Sequence, residues 1–189
     1  MKILPVVLLS SVLLAVPAWG GDNTTRIEAS RNAVKQLQGS LVTELQAAMK
    51  SGGPINAIEV CSKRASAIAA DISRQHGWKV GRTSLKYRNP MNAPDAWEAR
   101  VLQDFERRKA AGEDPAKLEF HEVVQVDGKP AFRYMKALPI PEGAPCLACH
   151  GQKLDPAVAA KIRKLYPQDK ATGFKTGDLR GAVTITQPL

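Results

Sequence analysis

From residue 24 to residue 50 the apolar positions Ile27, Val34, Leu37, Leu41, Leu45 and Met49 fall at spacings of three, four and seven. That period places them on one face of a long amphipathic helix. Ser51-Gly52-Gly53 ends the helix, because glycine is costly in a helix interior. Pro54 follows where a first helical turn tolerates it, and a second helix runs to Gly77. Its apolar stripe is Ile58, Cys61, Ala65, Ile68 and Ile72, which turns Cys61 inward.

The texture changes after Gly77. The run WKVGRTSLKYRNP reads as a strand leading into a loop stopped by Pro90. DAWEARVLQDFERRKAAG predicts a third helix, with Asp95 and Glu98 spaced as a capping box and Trp97, Val101 and Phe105 on one face. LEFHEVVQVDGKPAFRYMKALPI predicts a hairpin, two alternating runs joined by Asp127-Gly128. Pro139, Pro141, Gly143 and Pro145 make an extended loop. Asp155-Pro156 opens a short helix through Leu165, and GDLRGAVTITQ forms a last strand. Helices come first and a small antiparallel sheet follows, with no internal repeat. The class is α+β.

The N-terminus has a different logic. Lys2, the apolar run Ile3 to Val16 and the small residues around Ala18-Trp19-Gly20 have the layout of a secretory signal peptide over residues 1–20. The run is short for a membrane helix, which needs about 20 apolar residues, and no other segment of the chain could span a bilayer. The expectation is an exported, periplasmic protein with no stable membrane span, forming one domain over residues 24–189. The formal net charge is +9, and +8 once Lys2 is removed, with the basic residues dispersed. Such a balance favours partners with acidic surfaces. No nucleic-acid-binding motif accompanies it, and export argues against a nucleic-acid partner.

Cys146-Leu147-Ala148-Cys149-His150 is the attachment pattern of a c-type haem. Two thiols add across the porphyrin's two vinyl groups, and the adjacent histidine is held under the iron as proximal ligand. A thioredoxin-like pair would end a strand and open a helix in a βαβ unit, whereas this motif follows a proline-rich loop. A zinc site would need a second ligand pair, which the chain lacks. A Cys146–Cys149 disulfide leaves His150 without a purpose. One haem c is therefore expected, bound by Cys146, Cys149 and His150. Cys61 is then left without a disulfide partner. Its residue-level readings are a small buried hydrophobe or a sixth ligand to the iron, in competition with Met49, Met91, Met135, His76 and His121. Arg82 is a candidate partner for a haem propionate, since a guanidinium suits a carboxylate.

The runs AIEVCSKRASAIAADIS, GWKVGRTSLKYRNPMNAPDAWE, PCLACHG and GDLRGAVTIT, in that order, closely resemble a family of c-type haem domains from cyanobacteria and proteobacteria, formerly a domain of unknown function. The resemblance runs from about Ile27 to Leu189. It implies a PAS-like fold, an antiparallel sheet flanked by helices with the haem between helix and sheet. It also implies axial ligation by His150 and Cys61. Thiolate opposite histidine would favour ferric iron and a low potential. The resulting expectation is a redox or small-gas sensor that signals to a partner protein. A periplasmic electron-transfer cytochrome c is the alternative, and a peroxidase-type enzyme fits less well because Cys61 would fill the sixth position. No catalytic residue is assigned.

Overall fold

The break expected at Ser51-Gly52-Gly53 is where the first helical element turns back on itself. In the computed structural model, which describes residues 22–189, α1 spans Asp22–His76 and loses helical geometry only at Gly52 and Gly53. Gly53 has φ +67° and ψ −162°, a conformation essentially restricted to glycine. Asn56 secures the corner by donating to the Ala48 carbonyl (3.0 Å) and the Ser51 hydroxyl (2.8 Å). The limbs 22–51 and 54–76 then run antiparallel, bridged by Gln36–Gln75 and Glu44–Arg64. The signal-peptide expectation for residues 1–20 lies outside the described residues.

The remaining elements are β1 (Lys79–Thr83), a 3-10 turn at Pro90–Asn92, α2 (Ala96–Ala110), β2 (Glu119–Val126), β3 (Lys129–Pro139), α3 (Leu147–His150), α4 (Pro156–Leu165) and β4 (Leu179–Pro188). The sheet is antiparallel throughout in the order β1-β4-β3-β2. Asp127 and Gly128 join β2 to β3 with φ of +51° and +75°, which matches the right-handed twist of a two-residue hairpin. The last strand fills the place between β1 and β3, so the C-terminal strand lies in the interior of the sheet.

Both faces of the sheet are covered. The limbs of α1 bring Ala33, Val34, Leu37, Ile68 and Ile72 onto Val80, Phe132, Tyr134, Val183 and Ile185. On the other face α2 packs Trp97, Val101, Leu102 and Phe105 against Met135, Ala137, Leu179 and Ala182. This double coverage explains why β3 and β4 are buried almost continuously while β2, at the edge, alternates. The capping box is present: Asp95 accepts from the Glu98 N–H (2.8 Å), and Glu98 accepts from the Asp95 N–H (3.1 Å). The α+β class, the long N-terminal helix, α2, the hairpin, α4 and the last strand agree with the sequence expectations. The 3-10 turn and the one-turn helix α3 were not foreseen.

Candidate functional site

The proline-rich loop after β3 ends in a single helical turn. Cys146 is its N-cap, and its carbonyl accepts from the Cys149 N–H (3.3 Å) and the His150 N–H (2.9 Å). Positions i, i+3 and i+4 of a helix share one face, so both thiols and the imidazole project together. The segment after α4 braces this turn. Phe174 N–H donates to the His150 carbonyl and Gly173 N–H to the Gly151 carbonyl, each at 3.0 Å. The Phe174 ring stands edge-on to His150, with centroids 6.3 Å apart.

The His150 ring is set by its surroundings. Nδ1–H donates to the Ala171 carbonyl at 2.7 Å, so the lone pair of the neutral ring resides on Nε2. Burial pushes the imidazole well below its ordinary range, helped by the charges of Arg180 and Arg88 and opposed by the Ala171 hydrogen bond. His150 is thus held neutral, with the Nε2 lone pair facing Arg180 Nε at 3.5 Å.

Cys61 comes to this neighbourhood from the second limb of α1. Its limb of α1 packs on α4 through Ile58, Val158 and Ile162, against which Cys149, Leu154, Leu165 and Tyr166 also rest. Lys161 pairs with Glu59 at 2.6 Å across the same junction. Cys61 lies one turn beyond Ile58 and is half-buried. Burial pushes its thiol up, and the charge of Arg82 acts the other way. Cys149 in turn senses Cys61, and all three cysteines are free thiols. The fold therefore brings the four sequence-predicted residues, Cys61, Cys146, Cys149 and His150, into one neighbourhood.

Three arginines gather there. Arg88 pairs with Asp169 (3.0 Å) and donates to the carbonyls of Cys149 (2.6 Å) and Ala171 (3.2 Å). Arg180 arrives by way of a bulge: Leu138 pairs with Gly181 and Pro139 with Leu179, so Arg180 has no cross-strand partner. A bulge re-aims its extra residue, here toward the site. Arg180 Nη1 donates to Ser84 Oγ (3.3 Å) and the Lys86 carbonyl (3.1 Å). Its Nε is nearly equidistant from both imidazole nitrogens of His150, at 3.3 and 3.5 Å. The guanidinium therefore lies over the ring and faces both of its nitrogens. Arg82 is exposed to solvent, yet protein surrounds it closely enough that desolvation lowers its guanidinium, the situation of a side chain on the wall of a cleft. Burial also lowers Arg180, and the charges of Arg82 and Arg88 add to the effect.

The rival ligands are dispersed. Met135 is buried under α2, on the other face of the sheet. His121 lies on edge strand β2, stacked on Phe132. His76 lies fifteen residues beyond Cys61 on the same limb, roughly 22 Å away, and contacts Gln36. Met91 is 84% exposed in the 3-10 turn. Met49 belongs to the first limb of α1.

The residues present fit the haem expected from the motif. The helical turn presents both thiols and the imidazole on one face, Cys61 comes from a separate element, and three guanidiniums gather there, of which Arg88 is paired with Asp169. That surplus of positive charge suits a dicarboxylate cofactor. Sequence reasoning missed Asp169, the Ala171 carbonyl, Phe174, Tyr166 and Arg180, and gave Arg88 no role. The one legible hint was Gly181, because a glycine inside a strand often marks a bulge.

A Cys-x-x-Cys-His turn beside a helical hairpin, in an α+β fold with a four-stranded antiparallel sheet, defines the class of domain. The model of the Tll0287-like family matches residues 23–188, and the chain belongs to that family. Among solved structures, the cyanobacterial haem protein Tll0287 is similar, with a TM-score of 0.62 and 28% identity over 90% of this chain and 97% of that one. Comparison with curated proteins returned no match.

Proposed function

We propose that this chain is an exported, periplasmic protein carrying one covalently attached haem c, and that it serves as a redox or small-gas sensor. Cys146 and Cys149 hold the cofactor as thioethers, His150 ligates iron through Nε2, and Cys61 is the opposite ligand. When bound, the haem would supply a one-electron couple, and release of Cys61 would open a position for small gases. The observation that carries the reading is the helical turn itself: thiol, thiol and imidazole on one face, with Nδ1–H committed to Ala171. The haem bound by the family relative Tll0287 supports it. Arg82 and Arg180 are the side chains assigned to the propionates.

Cys61 belongs to the helical hairpin, whereas His150 belongs to the one-turn helix α3. A change in the bond made by Cys61 is therefore a change in how α1 is held, and the outer surface of α1 is where a partner would read it. This is the ground for preferring sensing. The alternative, electron transfer, draws on the formal net charge of +8 that remains once Lys2 is removed, which suits docking to an acidic redox partner. The reading includes no enzymatic role, because Cys61 takes the position a peroxidase keeps open.

The experiment begins with the chain matured by the haem-attachment machinery. Haem stain should survive denaturing electrophoresis and be abolished in Cys146→Ala/Cys149→Ala. A colourless wild-type protein with a Cys146–Cys149 disulfide would end the haem reading. Rapid reduction followed by carbon monoxide then separates the two roles. Fast binding supports a sensor whose sixth position opens, and inertness supports a carrier.

A further inference from the structure

We infer that Arg88, together with Asp169, is a positioning residue for the haem-bearing turn, and that the pair sets how strongly His150 donates to iron. The inference rests on the haem reading above and concerns the second layer of that site. Arg88 is 12% exposed and Asp169 9%, so their ion pair is shielded from solvent. The guanidinium reaches three acceptors at once: the Asp169 carboxylate at 3.0 Å through Nε, and the carbonyls of Cys149 (2.6 Å) and Ala171 (3.2 Å) through Nη2. Only a planar fork with several fixed donors can span such a set, and an ammonium cannot.

Asp169 closes the device. Its Oδ1 accepts from Arg88 Nε and from the Ala171 N–H, both at 3.0 Å, which fixes the turn 169–171. The Lys170 N–H donates to the Tyr87 carbonyl at 2.9 Å, tying that turn to the residue preceding Arg88. The Ala171 carbonyl thus has two donors, His150 Nδ1–H at 2.7 Å and Arg88 Nη2–H at 3.2 Å. A carbonyl already polarised by a cation is a weaker acceptor for the imidazole N–H. His150 consequently gains less anionic character and donates less to a metal, since the partner of the outer ring nitrogen sets the ligand's basicity. The carboxylate of Asp169 counteracts this by neutralising the cation. Arg88 raises the potential of the iron and Asp169 lowers it, while both hold the turn in place.

The test uses the full chain, matured with haem, as wild type, Arg88→Gln, Arg88→Lys, Asp169→Asn and the double variant Arg88→Gln/Asp169→Asn. Redox titration should move the midpoint potential down in Arg88→Gln and up in Asp169→Asn. The double variant, which removes both buried charges together, should return toward wild type. Arg88→Lys keeps the charge and should titrate closer to wild type than Arg88→Gln. A merely structural role would loosen both single variants without reversing the sign, so equal potentials or shifts in one direction overturn the proposal. Amide hydrogen exchange supplies a readout that does not depend on iron. Arg88→Gln should exchange faster at residues 149–151 and 171–174, with β3 and β4 unchanged. A wild-type chain without covalent haem would remove the functional reading, and unchanged exchange at those amides would remove the clamp.

Discussion

Replacing Glu98 with alanine removes one side chain from three interactions under the sheet. Oε1 accepts from Arg133 Nη2 (3.1 Å) and Thr184 Oγ1 (2.7 Å), and Oε2 accepts from the Asp95 N–H (3.1 Å). Arg133 is 8% exposed and rests 4.2 Å over the Trp97 ring, so its charge cannot turn to water. Breaking a buried ion pair by removing one partner costs about 3–5 kcal/mol. Asp95 remains 2.8 Å from Arg133, but it is half exposed, which reduces the loss to about 2–3 kcal/mol. The stranded Thr184 hydroxyl adds about 1 kcal/mol, and the lost half of the capping box about 0.5–1 kcal/mol. The sum is about 4 kcal/mol, a large share of the ~5–15 kcal/mol that stabilises a domain. At about 2–4 °C per kcal/mol for a chain of this size, Tm should fall by roughly 8–16 °C. Thermal melts and urea titrations followed by far-ultraviolet circular dichroism measure it. The double variant Glu98→Ala/Arg133→Met should lose less than the two single variants combined, because no buried charge is left unpaired. A Glu98→Ala loss below about 1 kcal/mol, or strict additivity in the cycle, would refute the reasoning.

Three further outcomes are expected. Glu119 accepts from Arg31 and from Tyr134 Oη (2.6 Å), and these donors hold its carboxyl down to about 2 against an ordinary 4.5. A lowered folded pKa means its stabilisation is complete above about pH 4.5 and lost as pH falls toward 2. Because Glu119 is partly exposed and Arg31 half exposed, the contribution is about 1–2 kcal/mol, and Glu119→Gln should flatten the acid limb of stability measured by urea titration. Gly181 has φ +144°, and a Cβ there would lie 2.3 Å from the Thr83 carbonyl oxygen. Gly181→Ala should therefore cost at least about 2 kcal/mol in denaturant titration and disturb the bulge that aims Arg180. Cys61→Ala should leave haem attached, raise the midpoint potential and abolish the low-spin thiolate signature in electron paramagnetic resonance. A spectrum and potential equal to wild type would return Cys61 to the role of a buried hydrophobe.

Local pattern by itself determined the elements and the grouping of Cys146, Cys149 and His150 on one turn. The period of Ile27 to Met49, the Gly-Gly break, the Asp95–Glu98 box and the Asp127-Gly128 turn are short-range signals, and each appears where expected because neighbours in the chain decide it. Cys146, Cys149 and His150 were legible for the same reason, being separated by one helical turn. Tertiary structure alone decided what surrounds them. Strand β4 fills the centre of the sheet and pairs with β1, roughly a hundred residues earlier in the chain, and no local pattern encodes that pairing. The same topology separates His121 and Met135 from Cys61, leaving three methionine and histidine rivals elsewhere in the fold when His76 is included. It also brings Arg82 and Arg88 of one segment and Arg180 of another into the surroundings of one imidazole. The acceptor of the His150 N–H is a backbone carbonyl, that of Ala171, and a peptide carbonyl has no side-chain signature in a sequence. Its position depends on a carboxylate 81 residues from the arginine it pairs with, and only the folded chain brings the two together.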